Sequence, residues 1–127
     1  MTYSINARVA SGQGQGKIFV NYDWVQNQIQ AKFGFIPYQG TLNLRMDSCN
    51  SNSFQVYKQN HKGISITSVR DRCGGLCYPI RITNIKGIIV IPQILGYPNT
   101  QLEIIAPVNL RKALSLKDGD ELEVFFD

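Results

Sequence analysis

The sequence predicts a mainly β domain, a barrel with one or two short helices, and three observations support that. Short stretches rich in β-branched and aromatic residues recur between turn signals: INARVA, KIFVNY, TLNLRM, GISITSV, YPIRITNI, GIIVIP, QLEIIA and ELEVFF. Several alternate apolar and polar residues, as half-buried strands do. At 127 residues, without linker, low-complexity tract or repeat, the chain has room for one packed domain covering 1–127. Many short strands in one small domain favour a closed or doubled sheet.

Taken in order, INARVA is the first strand, and the glycines of SGQGQGK interrupt the chain before KIFVNY. Asp23 is placed to cap a helix, with Gln26 three residues on in a loose capping box. Val25, Ile29 and Phe33 share one face of that helix, and Gly34 is a natural stop. Pro37 and Gly40 bracket a turn into TLNLRM. Three β-rich stretches and QLEIIA follow. PVNLRKALSL then reads as a second helix, with Pro107 in its first turn and Leu110 and Leu114 on one side. Lys117–Asp120 supply the turn into a closing strand, ELEVFF.

Composition narrows the function classes without choosing among them. No apolar run approaches the roughly 20 residues of a membrane span. MTYSINARV lacks the apolar core of a secretion signal, so a cytoplasmic location is expected. Three cysteines, Cys49, Cys73 and Cys77, cannot all pair within one chain, which favours reduced thiols while leaving a Cys73–Cys77 bridge open. Cys73 and Cys77 lack zinc-knuckle spacing. His61 is the only histidine, so a His-based triad or multi-histidine metal site is excluded. The formal charge of +4 suits an anionic ligand, yet the basic residues are scattered rather than grouped as in a nucleic-acid arm.

Three segments carry candidate chemistry. In SGQGQGK, Gly12, Gly14 and Gly16 remove side chains from alternate positions, so backbone amides can approach an anion, with Lys17 adding charge. The spacing matches neither the Walker nor the dinucleotide pattern, and a plain turn between strands fits the residues better. In GTLN, an extended chain puts Thr41 and Asn43 on one face, with Leu42 opposite. A hydroxyl and an amide oxygen side by side suit either capping of turn amides or a hard cation that arrives with a phosphate ligand. In LEIIAPVNLRKAL, Glu103 stands in an apolar strand, either inward as a functional carboxylate or outward in solvent. The helix start beyond it offers free amides, and Arg111 adds a guanidinium for a phosphate or base. Trp24 reads as packing rather than a stacking platform.

In combination and in order, SGQGQGKIFV, FGFIPYQGTLNL, CGGLCYPIRI and YPNTQLEIIAPVNLRKALSLKDGDELEV resemble the CTP-dependent riboflavin kinases of archaeal type. The likeness runs from about Arg8 to Val124. It implies a compact six-stranded cradle-loop barrel, and transfer of the terminal phosphate of CTP to the 5′-hydroxyl of riboflavin, giving FMN and CDP. By position, it implies nucleotide contacts at Gly12, Gln13, Gly14, Gln15, Gly16 and Lys17 and again at Val108, Asn109, Leu110 and Arg111. It also implies magnesium ligands at Thr41 and Asn43, and a flavin contact at Glu103 that either orients the hydroxyl or accepts its proton.

The chain departs from the family pattern at three places. Gln39 replaces a proline before GTLN, Gln15 stands where an acidic residue is frequent, and Leu95 takes the place of a flavin-contacting threonine. The implied partners are riboflavin or FMN and CTP or CDP, in a monomer without membrane or nucleic-acid contact. The competing reading draws on the LxLxDGDxLEV ending, which also resembles cradle-loop transcription factors. It makes the chain a non-catalytic DNA-binding module, or a sensor of flavin or nucleotide. Little clustered basic charge and the GTLN step weigh against DNA.

Overall fold

In the computed structural model, which describes residues 3–11, 19–67 and 74–127, seven strands make one antiparallel sheet. They are β1 (Ser4–Val9), β2 (Leu42–Arg45), β3 (Ile64–Ile66), β4 (Gly75–Ile82), β5 (Ile85–Pro92), β6 (Gln101–Ile105) and β7 (Glu121–Phe126). The order is β3-β4-β5-β6-β2-β1-β7, and β7 pairs back onto β4 through Ile80–Phe126 and Arg81–Phe125. Six strands thus close into a barrel. β3 lies beside the first half of β4, from Ile64–Cys77 to Ile66–Gly75.

The apolar run GIIVIP lacks alternation because its strand is covered on both faces. Ile89 points into the barrel with Leu42, Leu44, Leu102, Ile104, Ile80 and Val124. Ile88 and Val90 face outward into a second cluster with Val25, Ile29, Cys77 and Ile105. Helix α1 (Asp23–Phe33) supplies Val25 and Ile29 to that outer cluster. Its N-cap is Tyr22, which makes no side-chain cap bond, so Asp23 is the first helical residue rather than the cap. Burying two aliphatic side chains, at about 1.5–3 kcal/mol each, outweighs a missing cap of about 1 kcal/mol. Gly34 ends the helix in the left-handed region, as expected. Trp24 packs at the rim, edge-on to Phe19 and stacked on Tyr22.

Several other expectations need correction. KIFVNY is not a strand over its described part. Phe19 and Val20 lie in a helical turn, buried in the outer cluster that α1 covers. SCNSNSFQVYKQN, not foreseen as a helix, forms the longest one, α2 (Ser48–Asn60), capped by Asp47, whose side chain accepts from the Asn50 amide. Its Phe54 packs with Tyr78 and Phe126. His61, exposed just beyond the end of α2, stacks on Tyr57. The second expected helix is one turn, α3 (Leu110–Ala113), with Asn109 as N-cap, so Pro107 precedes it. The turn at Lys117–Asp120 forms as read: Asp120 accepts from the Lys117 amide at 2.8 Å, and Gly119 has φ +91.

No helix among the described residues is long and apolar enough to cross a membrane. Cys49 is exposed and free. Cys77 is buried, and burial pushes its thiol up to about 12. Cys73 lies outside the described residues.

Candidate active site

Alternation along β2 and β6 builds the centre of the site. Leu42 and Leu44 turn into the barrel, as do Leu102 and Ile104, which leaves Asn43 and Glu103 on the other face. The register sets Asn43 directly opposite Glu103. Glu103 is 0% exposed even though it points out of the barrel, so neither expected extreme, inward or solvated, describes it. Its Oε1 accepts from the Thr41 hydroxyl at 3.3 Å, and its Oε2 from the Tyr97 hydroxyl at 2.7 Å. The Tyr97 phenol is raised well above its ordinary value, first by burial and then by its bond to this carboxylate. Asn43 Oδ1 is buried and has no hydrogen-bond partner among the described residues. A buried acceptor left unpaired costs about 1–3 kcal/mol, so such an atom marks a place where a ligand is expected.

Thr41 and Asn43 line a cavity of about 350 Å³ whose far wall is Val108, Asn109, Leu110 and Arg111. The predicted metal and second nucleotide segments therefore meet in one space. Leu110 is buried in the barrel core and pins that wall. Asn109 accepts from the Lys112 amide and donates through Nδ2 to the Tyr38 hydroxyl at 3.1 Å. The Tyr38 amide in turn donates to the Ala106 carbonyl at 2.8 Å, which fixes the Pro37–Gly40 turn against the wall. With one helical turn and the Lys112 amide already capped, the segment offers little of the dipole expected of a longer helix.

Arg111 is engaged by Asp118, and the Ser11 hydroxyl donates to the other Asp118 oxygen at 2.9 Å. These two donors, Arg111 first, hold the Asp118 carboxyl below its ordinary value. Gly12, Gln13, Gly14, Gln15, Gly16 and Lys17 lie outside the described residues. Their anchor does not: the Ala10 amide donates to the Asn43 carbonyl at 2.9 Å, and the Gly119 amide to the Val9 carbonyl at 2.8 Å. Ala10 and Ser11, the last described residues before that segment, are thus held by Asn43 and by the Asp118 turn.

A second cavity of about 320 Å³ lies on the other side of Tyr97, bounded by Phe54 and Lys58 of α2 and by Ile94 and Leu95. Leu95, in the threonine's place, is fully exposed. No cluster of three His, Cys, Asp or Glu side chains suited to a metal occurs among the described residues. The oxygen donors at the first cavity, Thr41 and Asn43, are neutral. The residues the sequence did not single out are Tyr97, Tyr38 and Asp118. The first two lie within the stretches YPNTQLE and IPYQGTLN; Tyr97 finds its partner Glu103 six residues on, whereas Tyr38 gains Asn109 only through the fold.

A family model for CTP-dependent riboflavin kinase, described as "Domain of unknown function DUF120", matches residues 9–125. The riboflavin kinase of Archaeoglobus fulgidus is 42% identical over 127 residues, covering 97% of this chain and 54% of that protein. That of Ignicoccus hospitalis is 37% identical over 124 residues, covering 95% of this chain and 69% of the relative. That of Methanocella arvoryzae is 36% identical over 124 residues, covering 94% and 55%. The chain thus spans about half the length of two of these relatives and about two thirds of the third. With the match extending over nearly all of its residues, the chain belongs to the CTP-dependent riboflavin kinase family.

Proposed function

We propose that this chain transfers the γ-phosphate of CTP to the 5′-hydroxyl of riboflavin, giving FMN and CDP. One observation carries the reading: segments far apart in sequence converge on one place. Thr41 and Asn43 share a cavity with Val108–Arg111, and Glu103 touches that group through Thr41. The family and the names of the relatives support riboflavin as acceptor, and the family name supports CTP as donor.

Phosphoryl transfer asks a protein mainly for positioning and charge neutralisation. Thr41 Oγ1 and the unpaired Asn43 Oδ1 fit a magnesium ion that keeps waters and takes nucleotide oxygens. That ion would neutralise charge on the phosphates, which is why neutral protein donors suffice. Val108–Arg111 hold the nucleotide from the opposite wall, and Gly12–Lys17 cradle its phosphates from the anchor at Ser11. Glu103 orients the flavin hydroxyl by accepting its hydrogen bond. As the hydroxyl oxygen bonds to the γ-phosphorus, the bond to the β-phosphate oxygen breaks and CDP leaves with that electron pair. The hydroxyl proton passes to Glu103 or to solvent. Because the transition state is loose, orientation counts for more than proton removal.

The test mixes the protein with riboflavin, magnesium and either CTP or ATP, and separates the flavins. FMN with CTP is the expected product. No FMN under any nucleotide and metal condition would overturn the reading.

A further inference from the structure

Glu103 is one of only three glutamates in the chain, the others being Glu121 and Glu123. It lies fully buried between the two cavities. From one side Thr41, which lines the first cavity, donates to Oε1. From the other side Tyr97, which lines the second, donates to Oε2 over the shorter distance of 2.7 Å. A carboxylate gripped at both oxygens has its plane fixed, and the hydrogen bond from a phenol to a charged acceptor is the stronger kind. Tyr97 is itself half-buried between Gly96 and Pro98, next to the loop that carries Leu95.

We infer that Tyr97 is a positioning residue: its hydroxyl, acting with that of Thr41, sets the orientation in which the Glu103 carboxylate faces the space between the two cavities. The inference deepens the proposed function and rests on that reading for its kinetic consequence, since Tyr97 acts on the reaction only through Glu103. Tyr97→Phe removes one oxygen and keeps the ring, so packing survives while the grip on Oε2 is lost.

Two measurements test it. With ¹³C-labelled glutamate, three carboxyl resonances are expected, and Tyr97→Phe should displace that of Glu103 while leaving those of Glu121 and Glu123 in place. In steady-state kinetics, Tyr97→Phe should lower kcat about tenfold, with the KM for CTP and the melting temperature little changed. In a Glu103→Gln background the same substitution should change kcat by less than about twofold, because a residue acting through Glu103 has nothing left to position. A merely structural role predicts equal losses in both backgrounds and a lowered melting temperature. An unmoved Glu103 resonance, wild-type kinetics for Tyr97→Phe, or additive losses would each overturn the inference. If the wild type forms no FMN, the proposed function fails, and the resonance alone decides whether Tyr97 holds Glu103.

Discussion

Asn43 and Glu103 stand opposite each other in the β2–β6 ladder, an unpaired amide oxygen beside a buried carboxylate. A pair so placed stabilises the fold little, because the amide oxygen gains nothing within the described protein for its loss of water. Asn43→Ala should therefore keep the melting temperature within a few degrees while FMN formation falls by about 100-fold or more, the loss expected of a metal ligand. Wild-type turnover in this variant would remove Asn43 from the metal site.

Leu95 offers a test in the opposite direction. It is fully exposed at the edge of the second cavity, at the position where the resemblance implies a flavin-contacting threonine. Leu95→Thr changes no core contact, so stability should stay within about 0.5 kcal/mol. One restored hydrogen bond of about 1 kcal/mol should tighten riboflavin binding roughly fivefold, read from quenching of flavin fluorescence. Unchanged or weaker binding would show that the threonine's contact is not made at this position.

Acid sensitivity should be visible at the start of α2. Asp47 accepts from the Asn50 amide at 2.8 Å and from its side chain at 3.0 Å, and these bonds hold its carboxyl below the ordinary 3.8. A carboxyl depressed in the folded state adds stability above its unfolded value, and that contribution is lost as pH falls through the folded one. Asp47→Ala should thus melt lower than wild type at neutral pH, and the gap should narrow as pH drops below 3.8. A gap that stays constant down to pH 2 would show that the cap contributes nothing through its charge.

Gly87 marks a place where the barrel wall admits no side chain. A Cβ there would lie 2.8 Å from the Ile105 carbonyl oxygen, a backbone atom that moves only with β6. Gly87→Ala should cost about 1–3 kcal/mol, seen as a lower urea midpoint with an unchanged slope. Because β6 carries Glu103, flavin binding should weaken as well. An unshifted midpoint would mean that the strand yields freely.

Strand by strand, the sequence was most legible where one physical signal dominated. TLNLRM and ELEVFF alternate and are half-covered strands; QLEIIA begins with the same alternation yet is buried on both faces, and GIIVIP, also covered twice, shows an unbroken apolar run. KIFVNY misled because Phe19 and Val20 are buried by α1 rather than by strand pairing, and both demand apolar side chains. Helix α2 went unseen since Ser51 and Phe54 are its only buried residues, too few for a 3.6-residue period to stand out among its polar residues. Within the site, alternation alone placed Thr41 and Asn43 on one face. It left open whether Glu103 is buried, for the cover comes from Tyr97 and from neighbours on other strands. Partners set by register, such as Asn43 with Glu103, follow from the pairing of β2 with β6 and have no local signature.

The seam of the barrel runs between β1 and β7, from Ser4–Phe125 to Arg8–Glu121. The same last strand also completes the wall at Ile80 and Arg81. During synthesis, β1 must therefore wait for nearly the whole domain before its second partner, β7, emerges, with the edge away from β2 left open. Pairing between such distant segments makes closure a late and slow event, since the loop entropy is spent before the contacts form. A ribosome-stalled chain ending before Glu121 should accordingly be protease-sensitive throughout, and become resistant only once β7 has cleared the exit tunnel.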